Sequence, residues 1–392
     1  MWEFICLFVK KNMTIRDYSS CNSCGKHYKI RFGLSDQFPQ SASFFCNKCG
    51  EKLTYTFDKN RVVILENLTK IEEDEAAENI NLHPELLMSD SARANPYHFA
   101  TLDFMTKQRK TGDKDLIVMR RMQFSIITYN KKWDEDSKIF RFVKEKRFDL
   151  VDKKFGKKEF DIRKRVVKRV LENSKLFIEG PWKKYYDDAL SELEKARRIS
   201  GFDDLKTLLI SNIEDYVERL FDIMADFAKV RTEMLITLIT QKCEQPILGN
   251  SSTVDWEKLE KVYGDLYERY GDLVLILTGI NNLNSRGAYD QFNTVGFTFQ
   301  NYLDSDKANR CKNFETNPKL AFFSNFYEAN IRNGTHHKNS KIDKEKQEII
   351  FGVGKGGRTE KRMPFIEYIQ YCNELYARSL IMLNLIFKVI YS

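Results

Sequence analysis

A chain of 392 residues that is 42% hydrophobic and 13% aromatic has the apolar content for two or three separate cores. Its 31% charged content is ordinary for a soluble protein, and the net charge of +8 admits an anionic partner without requiring one. No apolar run spans a membrane, because Leu380 to Ile390 is interrupted by Asn384 and Lys388. The start, Met1 to Val9 followed by Lys10 and Lys11, carries its charges on the wrong side of the apolar run for a secretory signal, so a cytoplasmic protein is expected.

Residues 1–18 read as an upstream extension, with Met13 an alternative start. Two Cys-x-x-Cys-Gly pairs follow, Cys21-Asn-Ser-Cys24-Gly25 and Cys46-Asn-Lys-Cys49-Gly50, with 21 residues between them. Such a turn gathers two thiolates on one side of a tight loop, and two turns complete the four sulfurs of a closed tetrahedral site. The expected cofactor is one structural zinc ion on Cys21, Cys24, Cys46 and Cys49. With no ligand position left for water, the site is structural rather than catalytic. Strand-like runs at Tyr28 to Phe32, Ala42 to Phe45 and Leu53 to Phe57 make the segment resemble a zinc ribbon, and Val62 to Leu68 adds one more strand. Residues 1–70 are therefore the ribbon with its extension. A ribbon serves nucleic acid and protein partners alike, so it decides no function.

Residues 71–200 read as a linker and a basic mixed α/β region. The acidic stretch Glu72 to Glu78 reads as a linker or a solvated helix turn, and His83 and His98 are surface or packing residues. Between residues 105 and 184 there are 25 Lys and Arg against 12 Asp and Glu, an excess of 13 that surpasses the charge of the whole chain. Val118 to Tyr129 reads as a strand and Ile162 to Val170 as a short cationic helix. Aromatics recur among the basic residues: Phe140, Phe142, Phe148, Phe155, Phe160, Phe177, Trp182, Tyr185 and Tyr186. That mixture fits phosphate contact with base stacking, and equally a Lys-rich face over an aromatic core.

From Asp203 the chain turns helical. Apolar residues from Leu205 to Phe227 keep a three-to-four spacing that continues to Ile239. A second helix is expected from Asp255 to Asn282 and a third from Lys319 to Ile331. Ser340 to Asp343 and Glu348 to Phe351 read as two short strands or extended turns. Gly352 to Gly357 matches G-x-G-x-x-G but lacks the strand–helix context of a pyrophosphate loop, so it reads as a hairpin or a flexible loop. A long amphipathic helix from Met363 to Tyr391 closes the chain. The expected fold is mainly α, a helical domain over 201–392 behind a small β ribbon and a basic middle segment.

The third helix leads into Arg332-Asn333-Gly334-Thr335-His336-His337. With the bundle around it, this segment resembles the HEPN superfamily, whose motif is Arg, four to six residues, then His, with a polar residue after Arg. His337 meets the shortest spacing, and His336 misses it by one. The resemblance covers the last 190 residues or so and implies a homodimeric endoribonuclease that needs no metal for chemistry, cleaving RNA by 2′-hydroxyl attack. It also implies a role in antiviral, anti-phage defence by abortive infection or as a toxin. In that scheme Arg332 neutralises phosphoryl charge, His337 (alternatively His336) moves the proton, and Asn333 orients the phosphate or the imidazole. On an ideal helix Asn333 and His337 lie about 40° apart, whereas Arg332 and His337 lie about 140° apart and need a departure near Gly334 to meet. The competing expectation is a non-catalytic nucleic-acid-binding or regulatory protein that uses an inactive HEPN-like bundle to dimerise.

Overall fold

The computed structural model describes residues 14–33, 39–82 apart from 59 and 61, 88–89, most of 133–155, parts of 164–178, 180–242, 250–251, 256–336, 340–343, 348–353 and 359–391. The architecture is mixed, with β-sheets toward the N-terminus and helices toward the C-terminus.

Among the described residues, two N-terminal sheets are built from β1 (Thr14–Cys21), β2 (His27–Gly33), β3 (Gln40–Phe45), β4 (Lys52–Phe57), β5 (Val63–Glu66), β6 (Leu68–Lys70) and β7 (Glu78–Leu82). The sheets are ordered β6-β1-β2-β7 and β3-β4-β5. Period-two alternation sends Tyr28, Ile30 and Phe32 of β2 into one core with Phe44, Leu53, Tyr55 and Phe57 of the other sheet. Tyr28 meets Phe44 edge-on at 5.2 Å, and Phe32 lies 5.0 Å from Tyr55. Both hairpins therefore close on a shared apolar layer, with the cysteine turns at their tips.

Two expectations need correction here. The supposed extension and first knuckle include a full strand, since β1 pairs with β2 from Thr14↔Gly33 to Ser20↔His27. The acidic stretch after residue 71 leads into a strand as well: β7 runs parallel to β2, with Ile80 opposite Ile30 and Leu82 opposite Phe32. The sheet thus extends past residue 70.

Among the described residues the helices include, in chain order, α1 (Phe148–Phe155), α2 (Pro181–Ala196), α3 (Phe202–Ser211), α4 (Ile213–Lys242), α5 (Trp256–Leu259), α6 (Val262–Leu273), α7 (Leu275–Arg286), α8 (Phe299–Asp304), α9 (Lys307–Arg310), α10 (Ala329–His336) and α11 (Phe365–Ile390). The helix expected from Asp255 to Asn282 is three helices, broken at Glu260 and again at Val274. The one expected from Lys319 to Ile331 is a 3-10 turn at Ala321–Ser324, a bend, and then α10. Phe326 takes a left-handed φ of 65°, which stops helical propagation just before the motif.

Three strands, β8 (Ser340–Asp343), β9 (Glu348–Val353) and β10 (Thr359–Pro364), form an antiparallel sheet in that order, and Val353 faces Thr359. The Gly-rich segment thus joins two hairpin strands. The strand expected at Val118 to Tyr129 lies outside the described residues, as do His83 and His98. No helix among the described residues is long and apolar enough to cross a membrane.

The chain divides into two compact units. One draws on Met1–Val118, Val230–Glu260 and His337–Gln370, the other on Met119–Lys229, Lys261–His336 and Tyr371–Ser392. In the first, Trp256 packs edge-on against Phe365 and Tyr368, and the Tyr368 hydroxyl donates to the carbonyls of Leu259 and Glu260 at 2.9 Å. The second is built on the apolar stripes of α3, α4, α6, α7 and the C-terminal part of α11. Phe227 stacks on Tyr376 at 3.9 Å, and Leu205, Leu220, Leu277 and Leu380 are fully buried. Trp133 and Phe140 pack on Phe221, so the middle segment lends aromatics to this core.

Candidate functional site

The first site is the cysteine cluster. Gly25 and Gly50 take φ of 68° and 73°, the left-handed bend that only glycine adopts without strain. Their amides donate to the carbonyls of Cys21 at 2.9 Å and Cys46 at 2.7 Å, and the Cys21 and Cys46 amides donate to Lys26 and Glu51. The two knuckles are thus near copies that present their thiols toward each other. Sγ of Cys21 lies 3.6 Å from that of Cys49, Sγ of Cys24 lies 3.5 Å from that of Cys46, and all four sulfurs fall within 4.8 Å of one another. A tetrahedral ion with metal–sulfur bonds of about 2.3 Å needs sulfur–sulfur edges of about 3.8 Å, so the donor set fits a metal ion. Outside it, the buried Tyr28 hydroxyl donates to Sγ of Cys46 at 3.1 Å. Burial pushes the Cys46 thiol up, but the Tyr28 hydroxyl and the amides of Lys48 and Cys49 outweigh it and hold the thiol below its ordinary value.

The second site surrounds Arg332 on α10. Ile331 and Thr335, four residues apart, are buried, and Thr335 Oγ1 turns back to the Ile331 carbonyl at 3.1 Å. Gly264 of α6 lies against it, and a Cβ there would stand in ordinary van der Waals contact, 3.5 Å from Thr335 Oγ1. The helix is oriented at its start by Tyr263, whose hydroxyl accepts from the Glu328 amide at 2.7 Å and donates to the Phe326 carbonyl at 2.6 Å. With that face turned inward, Arg332 is half-buried and Asn333 exposed. Gly334 is buried within the helix rather than ending it.

Nε and Nη2 of Arg332 both reach Oε1 of Glu268 on α6 at 2.7 Å, while Nη1 donates to Oδ1 of Asn333 at 2.9 Å. Oε2 of Glu268 meets Nζ of Lys307 at 3.2 Å. Lys307 also touches Asp272 at 3.1 Å, and Asp272 holds Arg310 at 3.0 Å and Arg219 at 2.8 Å. Two carboxylates on one face of α6 therefore bind four cations, a half-buried network of net charge +2. Burial raises the Glu268 carboxyl, yet the Lys307 ammonium and the Arg332 guanidinium outweigh it and hold the group below the usual carboxylate range.

The structure therefore brings Arg332 and Asn333 together. His336 is the last residue of α10, and His337 lies outside the described residues. Glu268, Asp272, Lys307, Arg310 and Arg219 were not foreseen. The one local signal was Glu268 and Asp272 at the i, i+4 spacing that shares a helix face. In the middle segment the described basic side chains are largely neutralised nearby. Arg147 pairs with Asp149, Lys144 with Glu218, Lys183 with Asp187, Lys184 with Asp188 and Arg169 with Asp136. Phe140 and Trp182 are buried, which favours a solvated basic face over an aromatic core.

No family model, curated protein or solved structure matches the chain. The reading of its function therefore rests on these sites.

Proposed function

We propose that the chain is an endoribonuclease of HEPN type that needs no metal for its chemistry, working as a homodimer in the cytoplasm, with a structural zinc ion in the cysteine ribbon. The observation that supports this most is the Arg332 guanidinium, held by Glu268 beside Asn333 within a cluster carrying two more positive than negative charges. A phosphodiester entering there meets a planar, permanently charged donor and an amide. In the proposed reaction the RNA 2′-hydroxyl attacks the adjacent phosphorus and gives its proton to His337. The phosphorus–5′-oxygen bond breaks, and the departing oxygen takes a proton from water or from the His337 imidazolium as the cyclic phosphate forms. Arg332 stabilises the charge on the non-bridging oxygens, and Asn333 fixes the guanidinium or the phosphate. Zinc is the ion favoured by four thiolates in a closed tetrahedral set. The anti-phage role, by abortive infection or as a toxin, follows from the family resemblance.

One observation favours the non-catalytic alternative, a nucleic-acid-binding or regulatory protein with an inactive bundle used for dimerisation. All three guanidinium nitrogens of Arg332 are occupied by protein acceptors, as in a structural arginine. Cleavage of an end-labelled RNA separates the readings. Wild type should cleave, whereas Arg332→Ala and His337→Ala should fold normally and lose cleavage. Salt-sensitive binding with no cleavage in any form would select the alternative.

A further inference from the structure

We propose that Cys49 is an oxidation site, the thiol at which a hydroperoxide enters the cysteine cluster, and that Cys21 resolves it into a disulfide that releases the metal. The two knuckles share a backbone, but their sulfurs differ in exposure. Cys21 and Cys46 are buried, Cys24 is half-buried and Cys49 is exposed. Hydrogen bonding sharpens the contrast within the second knuckle. Sγ of Cys46 accepts from the Tyr28 hydroxyl at 3.1 Å and from the amides of Lys48 and Cys49. Sγ of Cys49 accepts from the amide of Glu51 and has no hydroxyl donor like Tyr28 among the described residues. Each donor draws electron density from a thiolate and makes it a poorer nucleophile, and burial keeps a peroxide away from it. Cys24 lies between these extremes, half-buried and held by the Lys26 amide. Of the four sulfurs, Cys49 is therefore the one best placed to attack.

The resolving partner is already in place. Cys21 Sγ lies 3.6 Å from Cys49 Sγ, across the knuckles rather than along one of them. The Cys49 thiolate attacks one peroxide oxygen, the oxygen–oxygen bond breaks and hydroxide leaves, giving a sulfenic acid. The Cys21 thiolate then attacks that sulfur, the sulfur–oxygen bond breaks, a second hydroxide leaves and the disulfide forms. Two electrons pass from the two thiolates to the peroxide, and both hydroxides become water by taking protons from solvent. Two of the four thiolate donors are thereby spent, and the remaining two are too few for a closed tetrahedral site. Cys24 and Cys46, 3.5 Å apart, are the pair that a further equivalent of peroxide would join. Both bridges run between the β1–β2 turn and the β3–β4 turn. Oxidation thus exchanges a metal clamp for a covalent one between the same two hairpins, and a thiol reductant reverses it.

Only the occupant of the cluster, a zinc ion, is carried over from the proposed function, and RNA cleavage plays no part in the test. The full-length zinc-loaded chain, with Cys6→Ser and Cys243→Ser to remove two thiols outside the knuckles, is treated with substoichiometric hydrogen peroxide. Dimedone traps the sulfenic acid, peptide mass spectrometry locates it, and a chromophoric chelator reads released zinc. Among the four ligands, label on Cys49 should exceed label on Cys46 roughly tenfold or more, the worth of one or two additional hydrogen bonds to a buried sulfur. Without the trap, Cys21–Cys49 should be the first disulfide, zinc release should keep pace with its formation, and a thiol reductant should restore zinc binding. Zinc-saturated Tyr28→Phe should narrow the Cys49 to Cys46 ratio about fivefold, the worth of one hydrogen bond. A role for Tyr28 in packing alone would leave that ratio unmoved. Label falling first on Cys46 or Cys24, a first disulfide between Cys46 and Cys49, or zinc retained after the Cys21–Cys49 bridge has formed would each overturn the proposal. A chain with free thiols that takes up no zinc sinks the metal reading and this proposal together. Bound zinc with the four cysteines labelled evenly sinks the proposal alone.

Discussion

Arg332 gives two nitrogens, Nε and Nη2, to a single oxygen of Glu268, both at 2.7 Å, and the other oxygen of that carboxylate goes to Lys307. The arginine and the lysine therefore share one anchor, contributed 64 positions earlier in the chain. Glu268→Gln keeps the shape but removes the charge that holds both cations. Because the pair is half-exposed, the stability cost should stay below about 1 kcal/mol. RNA cleavage under single-turnover conditions should fall tenfold or more, since loss of orientation at a reacting phosphate costs far more than loss of a surface pair. Undiminished cleavage would show that Glu268 does not position Arg332 for chemistry.

Tyr28 bears on the metal rather than the RNA. Its hydroxyl donates to Cys46 Sγ at 3.1 Å and to Oδ1 of Asn47 at 3.0 Å, tying the second knuckle to β2. Tyr28→Phe should leave the ribbon folded and lower zinc affinity roughly 10- to 100-fold, the usual range for losing an outer-shell donor. Competition with a chromophoric chelator measures this directly. Cys46→Ser should strip the purified protein of metal at this site, as read by metal analysis.

Arg378 is the strongest single contributor expected in the helical unit. It is fully buried on α11, with Phe322 and Phe326 under its guanidinium at 3.8 and 4.8 Å, Glu374 at 3.0 Å and the Asn325 carbonyl as a further acceptor. Arg378→Ala leaves the Glu374 carboxylate without its guanidinium partner, while Trp182 Nε1 still donates to it at 2.9 Å. Denaturant unfolding should show a loss of about 3–5 kcal/mol. Arg378→Lys should recover little of it, because an ammonium cannot reproduce the stacked fork.

Glu192 on α2 sets an acid sensitivity. Only 5% exposed, it accepts from Lys195 at 2.7 Å and Asn284 at 3.1 Å, and lies 3.6 Å from Lys319. Burial raises its carboxyl, yet the hydrogen bonds from Lys195 and Asn317 and the charges of Lys195 and Lys319 bring it below the usual range. A depressed folded-state value means the stabilisation is complete above the unfolded value of about 4.3 and disappears as pH falls through the folded one. Glu192→Gln should therefore cost about 1–3 kcal/mol at pH 7, with the gap to wild type closing in denaturation curves taken below pH about 4.

These residues mark what the sequence alone could disclose. The cysteine knuckles were legible because their chemistry is local: four residues set each turn, and a glycine follows each. β1 was not, because Thr14 to Ser20 offers Ile15 alone as a clear apolar marker, and its inward Asp17 is paid for by Tyr55 at 2.6 Å on another strand. β7 hid behind the acidic run, and its parallel pairing with β2 depends on a partner some fifty residues away. The helical stripes of α4 and α11 followed from spacing, but the bend before α10 did not. It depends on Arg378 and Tyr263 gripping Phe322 to Glu328 from distant helices. Arg332 and Asn333 could be named from their motif, whereas Glu268 and Lys307 could not, since nothing within a few residues of either points to Arg332.

The most direct measurement is end-group analysis of total RNA after incubation with wild-type protein and with the Arg332→Ala, His337→Ala double variant. Wild type should generate 5′-hydroxyl ends with cyclic or 3′-phosphate partners, and the folded, zinc-loaded double variant should generate none. The same ends produced at the same rate by the double variant would contradict the assignment of Arg332 and His337 as the catalytic pair.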